Sequence, residues 1–345
     1  MRLISSFVLA ASSVLALTAC GGGGTDARDY VTAVGSSTVY PFAKAVAEDF
    51  ARTTGSKSPV IESTGTGAGM ELFCKGVGFP FPDVEDASRR MKKSEYEQCQ
   101  ANGVKQIIEI QVGIDGIAFA ESKRGPGMKL TPVDIYKALA ANPFGKPNTA
   151  RVWRDVNPAL PGIPILVYGP PSTSGTRDAL KELILEAGCK TDPAMVALKD
   201  SDAKKFEAIC HQIREDGPYV DAGENDNLIV QKISQNPKAV GIFGFSFLEE
   251  NADVLTGIPM SGVAPTYESI SSFAYPGARP LYIYVKKQHM GPIKGLKAYV
   301  DTWPRLWGPD GALKKAGMVV SPEEVRTRSA KIITDGTLLD PSELK

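Results

Sequence analysis

Histidine is scarce in this chain, with only His211 and His289 among 345 residues. No Cys-x-x-Cys spacing occurs among its five cysteines, which argues against a zinc site. A Gly-x-Ser-x-Gly elbow is missing, no histidine is placed as a base, and the acidic residues show no metal-cluster spacing. Net charge is missing too: 39 Lys plus Arg offset 39 Asp plus Glu, so no basic surplus marks a nucleic-acid binder. Internal repeats are absent, and the one low-complexity tract is Gly21 to Gly24. At 43% hydrophobic, the chain can bury a full core and is long enough for two domains.

The apolar run Phe7 to Leu17, behind the charged Arg2, is too short to span a bilayer. Leu17-Thr18-Ala19-Cys20 then places small residues before a cysteine, which resembles a bacterial lipobox. Residues 1–20 are expected to be a lipoprotein signal, with Cys20 lipidated and residues 21–29 a glycine-rich tether. The alternative is an ordinary secretory signal with Cys20 near the cut by chance. Four cysteines remain, and an even number in an exported chain suggests disulfides. Three pairings are open. The local one, Cys74–Cys99 with Cys189–Cys210, closes loops of roughly 25 and 20 residues, each worth about 3 kcal/mol.

Three times a strand-like run ends in small hydroxylated and glycine residues, and a helix begins at once. The first is Gly35-Ser36-Ser37-Thr38, after Tyr30 to Val34. The second is Thr64-Gly65-Thr66-Gly67-Ala68-Gly69, after Pro59-Val60-Ile61, and the third is Ser172-Thr173-Ser174-Gly175-Thr176, after Ile163 to Val167. A helix N-terminus carries unpaired N–H groups and about half a positive charge. Glycine lets backbone close around a ligand, and Ser or Thr adds hydroxyl donors. Three such tips at one point would cage a small oxyanion. Alone, each is more often a plain cap; the second also fails as a dinucleotide loop, lacking Gly-x-Gly-x-x-Gly before a long helix.

Strand and helix patterns alternate along the chain, which predicts α/β domains with parallel or mixed sheets. Val39, Phe42, Ala43, Val46 and Phe50 share one face of a helix over 38–52. Residues 107–120 read as extended, with glycines suited to a bend or a crossing between domains. Val240 to Phe245 is a candidate return crossing, and Arg279 to Val285 reads as a strand back in the first domain. Thr131 and Pro132 open one helix, Asn225 to Asn227 another, and Ser321-Pro322 a short capped one. His211 is expected on a surface helix. His289, in Lys286-Lys287-Gln288-His289, reads as exposed.

Gly35-Ser36-Ser37-Thr38-Val39-Tyr40-Pro41, taken with Ser174-Gly175-Thr176, resembles the phosphate-binding proteins that feed ABC phosphate importers (PstS-type). Thr64 to Gly69, Asp86-Ala87-Ser88-Arg89, Asp115-Gly116 and Val240 to Gly244 match that family in order and spacing, from about Tyr30 to the C-terminus. The resemblance implies a type II, Venus-flytrap receptor with the ligand between lobes: 31–113 plus 251–345 as lobe I, and 114–250 as lobe II. It implies a phosphate site of Ser37, Thr38, Thr66, Ser174, Gly175 and Thr176. Arg89 falls where some members carry an anion-contacting aspartate, whereas the branch sharing the Gly-Ser-Ser-Thr-Val-Tyr-Pro string carries arginine, which implies a bidentate charge partner. Pro170 stands where many members have an arginine, so Arg177 is the candidate replacement. Asp115 is the candidate acceptor for the proton of hydrogen phosphate, a test that sulfate fails by repulsion.

The expectation is therefore a lipid-anchored, extracytoplasmic phosphate receptor that serves ABC permease subunits, with no enzymatic activity and no cofactor. One rival is a secreted phosphatase with Ser174 or Ser37 as nucleophile, which a chromogenic phosphate ester would reveal. Another is an anion-scavenging lipoprotein that works without a permease.

Overall fold

The computed structural model describes residues 28–344 apart from Thr173, Glu224 and Asn225. The expected signal, Cys20 and nearly all of the tether lie outside the described residues. Nine strands form one curled, mixed sheet: β1 (Thr32–Gly35), β2 (Val60–Ser63), β3 (Val84–Ala87), β4 (Ile107–Ser122), β5 (Val167–Gly169), β6 (Tyr219–Asp221), β7 (Val240–Gly244), β8 (Leu255–Gly257) and β9 (Ala278–Lys286). Their order is β2-β1-β3-β9-β4-β7-β5-β6, with β8 against β4. At one end β1 pairs in parallel with β2 and β3; at the other, β5 pairs in parallel with β6 and β7. The antiparallel pair β4 and β9 joins the two sets.

Length explains the joining role of β4. Sixteen residues at strand rise cover about 50 Å, twice an ordinary strand or more. Its first half pairs with β9 and its second with β7 and β8, with a register shift between Gln111 and Gly113. Helix α1 (Tyr40–Thr54) begins with Pro41 in its first turn and stops at Gly55, whose φ is 65°. It buries Phe42, Ala43, Val46 and Phe50, as the pattern predicts, against helix Leu296–Leu306. Helices α2 (Thr66–Phe73), α3 (Lys93–Ala101) and α4 (Pro132–Leu139) follow in chain order. Thr131 caps α4 by accepting the Asp134 N–H.

One apolar core packs α1, Ile108 to Val112 of β4, Leu281 to Val285 of β9 and helix Leu296–Leu306. A smaller cluster under α2 and α3 contains Cys74 and Cys99. The other large core begins at Ile114, includes Cys189 and Cys210, and continues through Leu255, Met260 and Ile270 to Tyr275. Strand β7 pairs there with β4 and β5, while β9 pairs with the first half of β4.

Both local disulfides, Cys74–Cys99 and Cys189–Cys210, are formed. His289 overturns its expectation: it is 1% exposed, because Asp83 and the Gly78 amide give both ring nitrogens partners at 2.7 and 2.8 Å. Lys286 is buried beside it, so the two lysines before His289 do not mark a solvated run. The helix after Ser321-Pro322 spans Glu323–Asp335, longer than expected and without a side-chain cap. None of the described helices is long and apolar enough to cross a membrane.

Candidate anion-binding site

Every glycine-rich tip sits at the C-terminal end of a parallel strand, where crossovers on either side of β1 and β5 leave crevices. At the first tip, buried Ser36 accepts the Thr38 and Val39 N–H groups at 3.1 and 3.4 Å, which starts α1. The second tip is tied to the first: the Thr64 and Gly65 amides both donate to the Gly35 carbonyl at 2.8 Å. Its helix makes its first i→i−4 bond from Gly69 to Gly65, so the amides of Thr66, Gly67 and Ala68 have no acceptor within α2. At the third tip, Ser174 accepts the Thr176 N–H at 3.2 Å and opens a helical run over 175–189, whose middle, Leu180–Leu185, is a π segment.

The first and third tips touch, although they lie far apart in sequence. Thr38 Oγ1 donates to the Gly175 carbonyl at 3.2 Å, and Ser37 Oγ donates to Asp178 Oδ2 at 2.6 Å. Any side chain at residue 175 would bring a Cβ within 2.6 Å of Thr38 Cα, so only glycine allows this approach. Ser37, Thr38, Asp115, Ser174, Gly175 and Thr176 line one cleft together. Thr66 lines a second cleft with Ser88 and Arg89. Its hydroxyl is 3.1 Å from Ser88 Oγ and accepts the Ser88 N–H at 3.1 Å.

Arg279 stands between the two clefts. It opens β9 directly opposite Asp115 of β4, and only 6% of it is exposed. Its Nε donates to Asp115 Oδ2 at 3.1 Å, its Nη2 to Thr38 Oγ1 at 2.8 Å, and its Nη1 to Glu182 of the π segment. It lines the second cleft as well. Burial pushes the Asp115 carboxyl upward against the pull of this guanidinium, and nearby Glu182 adds to the rise. A fixed fork beside hydroxyls and helix-start amides is chemistry for a small oxyanion.

A PBP superfamily domain matches residues 22–301. The chain belongs to that superfamily. Protein SphX of Synechococcus elongatus is 32% identical over 76% of this chain and 69% of its own length. The phosphate-binding protein PstS of Staphylococcus saprophyticus is 28% identical, over 93% of this chain and 91% of its own. Among solved structures, a possible phosphate binding protein from Planctomyces limnophilus superposes with a TM-score of 0.71 at 25% identity, covering 89% of this chain and 98% of that one. An ABC-type phosphate transport receptor from Vibrio cholerae has a TM-score of 0.56 at 17% identity, covering 84% and 99%, and shares the fold.

Within this member of the superfamily, the two arginines singled out by sequence are placed differently. Arg89 lines the second cleft, but its fork grips Glu95 at 2.9 and 2.6 Å. Arg177 turns away, donating to the Pro170 carbonyl at 3.0 Å and lying over the Tyr219 ring at 4.2 Å. It lines neither cleft. Arg279, Asp178 and Glu182 join this network although the three tips do not contain them. One signal for Arg279 was available: a lone charge beside Pro280 at the head of the apolar run Leu281 to Val285. Neither histidine contacts Ser37 or Ser174; His211 pairs with Glu186 at 3.2 Å. Among the described residues, no group of three or more His, Cys, Asp or Glu could hold a metal ion.

Proposed function

We propose that this protein is an extracytoplasmic receptor that binds inorganic phosphate and delivers it to an ABC importer. The supporting observation is the meeting of Thr38 with Gly175 beside Arg279, which gathers hydroxyls, amides and a guanidinium from distant segments. Relatives named for phosphate binding, matched over nearly their whole length, point the same way. In this reading Ser37, Thr38, Ser174, Gly175 and Thr176 donate to the anion. Thr66 and Arg89 approach from the second cleft, and Arg279 takes the charge role first assigned to Arg177. Asp115 accepts the proton of hydrogen phosphate.

The lobes divide at the middle of β4 and at the head of β9, and closure about these strands encloses the ligand. Lipidation at Cys20 would hold the receptor at the membrane near its permease, and residues 21–29 would give it reach. Calorimetry of the anchor-free chain with phosphate and sulfate at two pH values is the direct test. Phosphate alone should bind; equal binding of sulfate, or no binding of either, would remove this reading.

A further inference from the structure

Behind the first two tips lies a carboxyl group with no evident reason to be there. Glu85 is in β3, between parallel β1 and antiparallel β9, and none of it is exposed. Among the described residues neither of its carboxyl oxygens has a hydrogen-bond partner. A Cβ added at Gly69 would come within 2.2 Å of Glu85 Oε2 and 2.6 Å of Gly35 Cα; one added at Gly35 would come within 2.8 Å of Glu85 Oε1. The carboxyl therefore fills the seam between the strand end that starts the first tip and the helix that starts the second. Glycine at 69 leaves room for this group; at 35 the Asp86 carbonyl, 2.1 Å from an added Cβ, and a φ of 133° demand glycine as well.

We propose that Glu85 is a positioning residue for anion capture: its carboxyl seats the first and second tips back to back, and a charge there weakens the site. The proposal rests on the anion-receptor reading above. Its surroundings supply no compensating cation. Strand β1 and helix α2 present Gly35 and Gly69, and Glu71, the one titratable side chain of α2, is exposed. Opposite Glu85 on β9 is Tyr284, whose hydroxyl donates to Glu109. Asp86 follows on the same strand, α3 contributes Glu95, and the guanidinium of Arg89 is already committed to Glu95. Burial first, then Asp86 and Glu95, push the Glu85 carboxyl well up, with Arg89 opposing. A buried negative charge behind two amide-rich tips would cancel part of the positive potential they offer a ligand.

The test is calorimetry of phosphate binding to the native chain and to Glu85→Gln from pH 6 to pH 9. Taking the ratio of the two affinities at each pH cancels the titration of phosphate itself. The ratio should be near one at the acid end, with the native chain falling at least fivefold behind the variant at the alkaline end. If both chains bind with a flat ratio, the proposal fails and the receptor reading stands. If neither binds phosphate at any pH, both fail. A second measurement needs only the native chain: the carboxyl carbon-13 resonance of Glu85, followed through pH with and without phosphate. Linkage requires phosphate to raise the pH at which Glu85 ionises. An unmoved midpoint overturns the proposal even if the variant does not fold.

Discussion

Gly175 packs directly on Thr38: its carbonyl accepts the Thr38 hydroxyl at 3.2 Å, and its missing side chain leaves room for the Thr38 backbone. Thr38 directly precedes Val39 of one core and Gly175 lies four residues before Ala179 of the other, so one contact holds two strand-end tips together. Gly175→Ala would push a methyl group into Thr38 Cα and N. Phosphate affinity should fall at least tenfold by calorimetry, with little change in the unfolding midpoint, since the contact lies between the cores. Unchanged affinity would show that the tips part when the anion binds.

Arg279 joins Thr38, Asp115 and Glu182, and removing it strands the largely buried Asp115 carboxylate, while half-exposed Glu182 is left to solvent. Arg279→Gln should cost about 3–5 kcal/mol in urea unfolding, the usual loss when a buried charge pair is broken. Phosphate binding should drop by roughly a hundredfold or more. Arg279→Lys keeps the charge but not the fork, so it should recover stability better than affinity.

Asp115 is the expected discriminator between hydrogen phosphate and sulfate. Asp115→Asn removes the repulsion felt by a fully ionised anion and adds a donor. Phosphate should weaken by about tenfold or more while sulfate strengthens, so their affinity ratio collapses in parallel titrations. A preserved ratio would move the discriminating role to another carboxylate.

Lys286 sits among Phe73 and Phe81 with its ammonium on the Gly76 carbonyl at 2.7 Å, and burial pushes it down to about 7. The unfolded chain keeps this proton up to the ordinary lysine range, whereas the folded chain releases it near neutrality. Between those limits the unfolded state binds more protons, so this group makes stability rise with pH from about 7 to about 10. Lys286→Met should remove that rise. The test compares the unfolding free energies of the two chains from urea titrations at pH 6.5 and pH 9: their difference should shift by about 1–4 kcal/mol between the two pH values. No shift would mean that Lys286 stays charged when buried.

Local sequence was enough to place the tips, because each needs only a strand end, small residues and a helix start within about ten positions. The face of α1 and the Thr131 cap were legible for the same reason of short range. His289 was misread because its partners, Asp83 and the Gly78 amide, lie some two hundred residues away. Strands β7 and β9 are both apolar, and only the part of β4 that each pairs with tells them apart. Arg177 looked like the missing cation by adjacency alone, but its side chain leaves the helix start toward Tyr219.

By itself the sequence determined the α/β alternation, four cysteines with three pairings open and the kind of chemistry each tip can offer. Tertiary structure decided which guanidinium touches the first tip, because Arg279 reaches Thr38 through its register against Asp115 on the shared strand pair. It also decided that a carboxyl would sit uncompensated behind the first two tips. Backbone amides and hydroxyls act at the range of a few residues, while charge partners and buried acids depend on which distant strands pair.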